Sequence, residues 1–332
     1  MAVPMLSKVK GHKEIRQLLV NLVETGRVGH AYLFSGPEGV GKAFTALQFL
    51  KLLSCPNAVD GEPCGRCHIC QAMETLDFPD LHILGPGLIS QQKKVTRIKI
   101  QDIRDLGGFI NYPPLQGTYK MVLINDAHLM TLEAANALLK VLEEPPGQTI
   151  FVLVTALEGR LPITIRSRCT EVWFGPLNAE EVSEVLITRG IDREKTNILG
   201  KVAGGSVSVA MQLAQSDTRE FRQEVLGLVL DVLKAKGQQR YGLVRQLIGV
   251  IPKNRKQLLF TLLESLSMDI LNISMDPDAR IVNEDLRDRL RKVAGRSYPI
   301  AFANRLIELD QKQVYNLSLQ ATMEGLLLGE NR

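Results

Sequence analysis

Apolar positions follow two different periods along the chain, and the change between them falls near Pro176. Before that point, short continuous apolar runs alternate with stretches in which apolar residues recur at intervals of three and four. The runs Ala31–Ser35, Leu81–Leu84, Met121–Ile124, Thr149–Thr155 and Glu171–Phe174 predict strands. Between them, Gly41 to Leu53 predicts a helix with Phe44, Leu47 and Leu50 on one face, and Thr131 to Glu144 predicts another that stops at Pro145-Pro146. Short, wholly apolar strands alternating with helices predict a parallel sheet buried by helices on both faces.

After Pro176 the strand signal ceases. Asn178, Asp192 and Ser206 are each placed to cap a short amphipathic helix, with Gly204-Gly205 separating the second from the third. From Asp217 onward, Phe221–Lys234, Lys256–Ile273, Asn283–Val293 and Tyr298–Leu328 carry helical spacing. The expected division is an α/β domain over 1–177, a small three-helix domain over 178–215 and an all-helical domain over 216–332.

The 332 residues are 45% hydrophobic and 23% charged, which excludes a disordered chain. No run is read as approaching the roughly 18 apolar residues that span a membrane. Met1 to Glu14 has no leader-like apolar stretch, so a cytoplasmic protein without membrane contact is expected. The 40 basic and 36 acidic residues leave a net charge of +4. That balance permits contact with nucleic acid without requiring it.

Cysteine changes the picture. Four of five lie in the pattern Cys55-x8-Cys64-x2-Cys67-x2-Cys70. Four thiolates at such spacing make a closed tetrahedral structural Zn²⁺ site, and a chain without an export signal is not expected to spend them on disulfides. A redox pair or metal-free cluster is the alternative. His68 lies inside the cluster but four sulfurs already suffice, and Cys169 reads as a small buried hydrophobe.

Between the first strand and its helix stands Gly36-Pro-Glu-Gly39-Val-Gly41-Lys42-Ala43. It matches the phosphate-binding pattern G-x-x-x-x-G-K and lacks the closing Ser or Thr. Its glycines let backbone N–H groups face phosphate oxygens, and Lys42 can reach the outer phosphates. The alternative is a glycine turn with a surface lysine. Ala43 has no hydroxyl for Mg²⁺, and Thr45 is turned about 200° from that position. At the end of the Met121–Ile124 strand, Asn125 stands where a metal-binding Asp is required. Asp126 follows, and strand alternation predicts that it points to the opposite face. Nucleotide binding is therefore expected to be weak or absent, and hydrolysis absent.

Four segments in order, His30–Pro37, the cysteine module, Ala134–Pro146 and Ile165–Cys169, resemble the bacterial clamp-loader ATPases, AAA+ proteins with a zinc insertion after the Walker A helix. The resemblance covers at least residues 8 to 215. It implies a RecA-like AAA+ domain, a helical lid over 178–215 and an all-α collar over 216–332. Its implied partners are the gamma/tau and delta subunits of DNA polymerase III in a pentameric hetero-oligomer, the sliding clamp through that complex, and primed DNA. It also assigns Arg168, in Ser167-Arg168-Cys169, the role of a finger reaching ATP on a neighbouring subunit, with Arg166 as a rival. The lid's Gly-Ser-x-Arg segment has Ser208 in place of arginine, Thr155 falls near a sensor threonine, and Gly11-His12 departs from the usual Gly-Gln. The losses implied at its own nucleotide site favour a non-hydrolysing subunit over an active gamma/tau-type ATPase that would use Asp126. A nucleic-acid-binding zinc protein is disfavoured because residues 55–75 contain no aromatics and only Arg66 as a firm cation. The basic stretch Lys93, Lys94, Arg97, Lys99 and Arg104 reads as a solvated loop and helix face.

Overall fold

The computed structural model describes residues 6–86, 96–251, 256–294, 301–302, 304–306 and 319–328, so Lys93, Lys94 and the start of the helix expected from Tyr298 lie outside the described residues. The chain forms two compact units, Met1–Pro176 and Leu177–Arg332.

In the first unit the strands are β1 (Ala31–Ser35), β2 (Leu81–Leu84), β3 (Lys120–Ile124), β4 (Thr149–Val154) and β5 (Thr170–Trp173). They make one sheet in the order β2-β3-β4-β1-β5. Every pairing is parallel, with Leu33 opposite Leu153 on one side and Glu171 on the other. Strand alternation then builds two cores. Tyr32 and Phe34 face helices α1 (Lys13–Glu24) and α2 (Lys42–Ser54), where they meet Leu19, Phe49 and Leu50. Ala31 and Leu33 face the opposite way, toward Leu106 of α4 (Ile100–Ile110) and Leu138 and Leu142 of α5 (Leu132–Glu143). The short α3 (His68–Glu74) lies between α2 and β2 in the chain. The expected parallel sheet with helices on both faces is thus the observed one, and each fully buried Leu or Phe contributes about 1.5–3 kcal/mol.

The strand order also positions the site. From β1 the chain crosses to the far edge at β2 and returns through β3 and β4 beside β1. The loop after β1 therefore leaves the carboxyl end of an interior strand, where parallel sheets place ligands. At the opposite end, buried Asp80 accepts from the N–H groups of Leu115, Gln116 and Gly117 and from Lys120 Nζ at 2.9 Å. Burial pushes the Asp80 carboxyl up, but these donors outweigh it and hold the group below the ordinary carboxylate range.

Among its described residues the second unit consists of helices and the turns that join them, with no strand. Asn178, Asp192 and Ser206 are the observed caps of α7 (Ala179–Thr188), α8 (Arg193–Val202) and α9 (Val207–Leu213), each side chain accepting a first-turn N–H. These helices share one continuous core with α10 (Ser216–Lys234), α11 (Gly237–Val250) and α12 (Lys256–Met275), in which Val182, Val209, Val229, Leu247 and Leu262 are buried together. Within α12, Leu258–Met275 is long and apolar enough by composition to cross a membrane, a run the sequence reading passed over. Its buried face, with Leu259, Leu263 and Leu266, belongs to this core. Asp269 accepts from the N–H groups of Val282 and Asn283 at 2.8 and 2.7 Å, which ties the helix to the chain that follows it.

Candidate functional site

Gly36 opens the phosphate loop with φ +131°, and a Cβ there would stand 2.1 Å from the carbonyl oxygen of Phe174. The loop thus begins where β1 and the chain leaving β5 come too close for any side chain. Gly39 and Gly41 also have positive φ, of 79° and 99°. Gly41 is the N-cap of α2 and makes no side-chain cap bond. The first-turn N–H groups of a 13-residue helix are consequently directed at the loop, the arrangement that receives an anion.

Lys42 does not extend outward. Its Nζ donates to the Gly36 carbonyl at 2.7 Å and to the Pro37 carbonyl, and the residue is 6% exposed. Burial pushes the ammonium down, the Asp126 and Glu38 carboxylates oppose this, and the net value is about 8. Glu38 is pushed up by burial and by Asp126, with Lys42 opposing. Glu38 was not singled out in the sequence; its place between two loop glycines was the available signal. Ala43 contributes packing against the α2-side core. Thr45 donates its hydroxyl to the Gly41 carbonyl at 3.0 Å, so its hydrogen bond serves the helix.

At the end of β3 the structure separates Asn125 from Asp126. The Asn125 amide donates to the Pro86 carbonyl at 3.0 Å, toward the β2 side. Asp126 adopts left-handed φ 49° and ψ 51° at the entry to a single 3-10 turn, and its charge acts on Lys42, Glu38 and His128. Because β3 ends at Ile124, both residues lie beyond the pleat, and strand alternation does not set the direction of Asp126. His128 Nδ1 lies 3.1 Å from Thr155 Oγ1, and that oxygen also accepts the Leu157 N–H at 3.0 Å. Burial pushes His128 down, with Asp126 opposing and Arg160 and Lys42 reinforcing. Around the loop stand the N-terminus of α2, the Lys42 ammonium and the carboxyl groups of Glu38 and Asp126 that act on it. Ser208 lies in the second unit with its hydroxyl 3.2 Å from that of Ser206.

Arg168 follows the short α6 (Ile163–Arg166). Its Nη1 donates to the Thr164 carbonyl at 3.0 Å and its Nη2 to the Glu143 carboxylate. Arg166 is held separately, by Glu171 at 3.0 Å and Glu158 at 3.8 Å.

The four cysteines converge. Their sulfurs all lie within 4.8 Å of one another, and the pairs Cys55–Cys67 and Cys64–Cys70 are 4.0 Å apart. Thiolates about 2.3 Å from a tetrahedral ion stand about 3.8 Å apart, whereas a disulfide is about 2.05 Å. Backbone N–H groups of Cys64, Cys67 and Cys70 donate to the sulfurs of Cys55, Cys64 and Cys67 at 3.3, 3.4 and 3.4 Å. Cys64 is brought down to about 6 by the N–H groups of Arg66 and Cys67, whereas burial pushes the Cys55 and Cys70 thiols up. The cluster fits a metal ion held by four sulfurs, and exposed His68 is not part of it. Cys55 directly follows the last residue of α2, so one helix joins the phosphate loop to the thiolates. On its other side the module meets α1, where a Cβ on Gly61 would fall 2.6 Å from Val20. Cys169 is half-buried, packed against the α5-side core, and its thiol is pushed up to about 12 by burial and by Glu171.

One family model and several known proteins are similar to this chain. The family model described as DNA polymerase III, delta subunit, matches residues 11–178, half of the chain. The DNA polymerase III subunit delta' of Bacillus subtilis is 29% identical over 95% of this chain and 94% of its own length. The tau/gamma subunit of Haemophilus influenzae is 36% identical over 62% of this chain, which spans only 30% of that relative. Among solved structures, a DNA polymerase III gamma-subunit-related protein from Thermotoga maritima is similar over 93% of this chain and 97% of that one, with 19% identity and a TM-score of 0.41. With the matched segment running from the start of α1 through the phosphate loop, the thiolate cluster and β5, the chain belongs to the DNA polymerase III delta-subunit family, a clamp-loader family.

Proposed function

We propose that the chain acts as a delta'-type subunit of the DNA polymerase III clamp loader, in a five-membered ring with gamma/tau and delta subunits that places the sliding clamp on primed DNA. In this reading it does not hydrolyse ATP itself and supplies Arg168 to the ATP of a neighbour. The helical second unit provides the lid and the ring-forming collar, and the four thiolates hold structural Zn²⁺. The observation that carries the reading is the Asn125 amide committed to Pro86, which together with the hydroxyl-free Ala43 leaves two Mg²⁺ contacts unsupplied. A guanidinium fork such as Arg168 is suited to stabilise charge developing on a γ-phosphate across an interface.

The test is equilibrium binding of labelled ATP to the purified chain with Mg²⁺, followed by product analysis of the same sample, beside turnover by a loader reconstituted with Arg168→Ala. Absence of ADP from the chain alone, together with reduced turnover in the complex, supports the reading. The position of Asp126 near Lys42 favours a second one, an active gamma/tau-type ATPase. Sustained ADP formation that disappears in Lys42→Ala would establish that instead.

A further inference from the structure

Two groups from separate segments hold Arg168, the Thr164 carbonyl of α6 and the Glu143 carboxylate that ends α5. Glu143 lies in the Ala134–Pro146 segment, and nothing assigned so far uses it. Its position is set firmly. Leu138 and Leu142 of α5 and Ile165 of α6 are buried in one core, and Pro145-Pro146 prevents the helix from continuing. An acid in the last turn of a helix also has the wrong sign for the helix dipole, so the fold gains nothing locally from having it there. Arg168 is the group that compensates it. Arg166, two residues away, is satisfied by Glu171 and Glu158 and does not share Glu143.

The arrangement leaves Arg168 fixed yet available. Its side chain is 35% exposed, and among the described residues two of the five N–H donors of a guanidinium are engaged. A long surface side chain without such partners samples many rotamers and spends little time in any one of them. We infer that Glu143 is a positioning residue for Arg168, fixing the guanidinium so that its remaining N–H groups are presented to the phosphates of ATP on the adjoining subunit. The inference rests on the trans role proposed above for Arg168.

The experiment is a double-mutant cycle in the reconstituted loader, with ATP turnover measured over a range of ATP concentrations for Glu143→Ala, Glu143→Gln, Arg168→Ala and the Glu143→Ala/Arg168→Ala pair. Assembly of each complex is checked by gel filtration. Glu143→Ala should lower kcat about two- to fivefold, the range an exposed ion pair supplies, with little change in KM. Glu143→Gln keeps an acceptor oxygen and should recover most of the loss. In the Arg168→Ala background the Glu143 change should add nothing. Unchanged kcat in Glu143→Ala, no recovery in Glu143→Gln, or an equal further loss on top of Arg168→Ala overturns the positioning role. Unchanged turnover in Arg168→Ala alone instead removes the finger reading on which it rests.

Discussion

The ammonium of Lys42 donates to the carbonyl oxygen of Gly36 at 2.7 Å, six residues back along the loop that it closes. Burial holds this ammonium at about 8, against an ordinary 10.5. A lowered lysine value means that folding disfavours the charged form. The loss is fully present below pH 8 and fades as pH rises through 10.5. Lys42→Met removes it, so the variant should melt above the parent at pH 7, with an advantage that shrinks toward pH 10. Thermal denaturation at both pH values checks this, and a pH-independent difference would refute it.

The approach of Gly36 to Phe174 makes a separate prediction. Gly36→Ala must accommodate a Cβ 2.1 Å from a carbonyl oxygen at φ +131°, whereas Gly41→Ala meets nothing within 4 Å and carries only the strain of φ +99°. The first should cost more than about 2 kcal/mol and the second about 1 kcal/mol. Equal shifts in the urea midpoint would mean that the loop does not begin in the tight position described.

Asn125→Asp alone should destabilise the protein by about 1–3 kcal/mol, because a carboxylate would replace the amide that donates to the Pro86 carbonyl. Combined with Ala43→Thr, it restores both missing metal contacts and should tighten Mg²⁺-dependent nucleotide binding. Titration with and without chelator reads the gain. No Mg²⁺-dependent improvement in the double variant would show that Asn125 and Ala43 are not what limits the site.

Cys64→Ser should lose about one metal ion per chain and lower the melting temperature, since a structural ion contributes folding free energy. Elemental analysis of the purified variant is decisive. Full retention of metal would remove Cys64 from the ligand set.

Asp80→Asn leaves Lys120, buried at 4% exposure, without its carboxylate. Breaking a buried pair in this way should cost about 3–5 kcal/mol. Because the folded Asp80 carboxyl sits below its ordinary value, its contribution is present above about pH 4 and lost as pH falls through the folded value. The gap between parent and variant in acid-unfolding curves should therefore narrow at low pH, and a constant gap would contradict the assignment.

The strands were legible because a sheet covered on both faces needs continuous apolar runs such as Ala31–Ser35 and Thr149–Val154. The caps Asn178, Asp192 and Ser206 were legible because their side chains act within three residues. By contrast α11 was missed, since Gly237, Gly242 and Gly249 weaken its helical signal and only packing against Val229 and its neighbours compensates. For Asp126 the alternation rule has no purchase, because β3 ends two residues earlier at Ile124. The partners of Asp80 and Arg168 were hidden for another reason. Leu115–Gly117 and Glu143 lie 35 to 37 and 25 residues away, and no periodicity links them.

Helix α2 begins at Lys42 and hands the chain directly to Cys55. At 13 residues it is a strut of about 20 Å, pinned by the phosphate loop at one end and, with a metal ion in place, by four sulfurs at the other. A rod clamped at both ends can neither roll about its axis nor slide along it. Loop and thiolate cluster are thus the two ends of a single helical element, joined without any flexible linker between them.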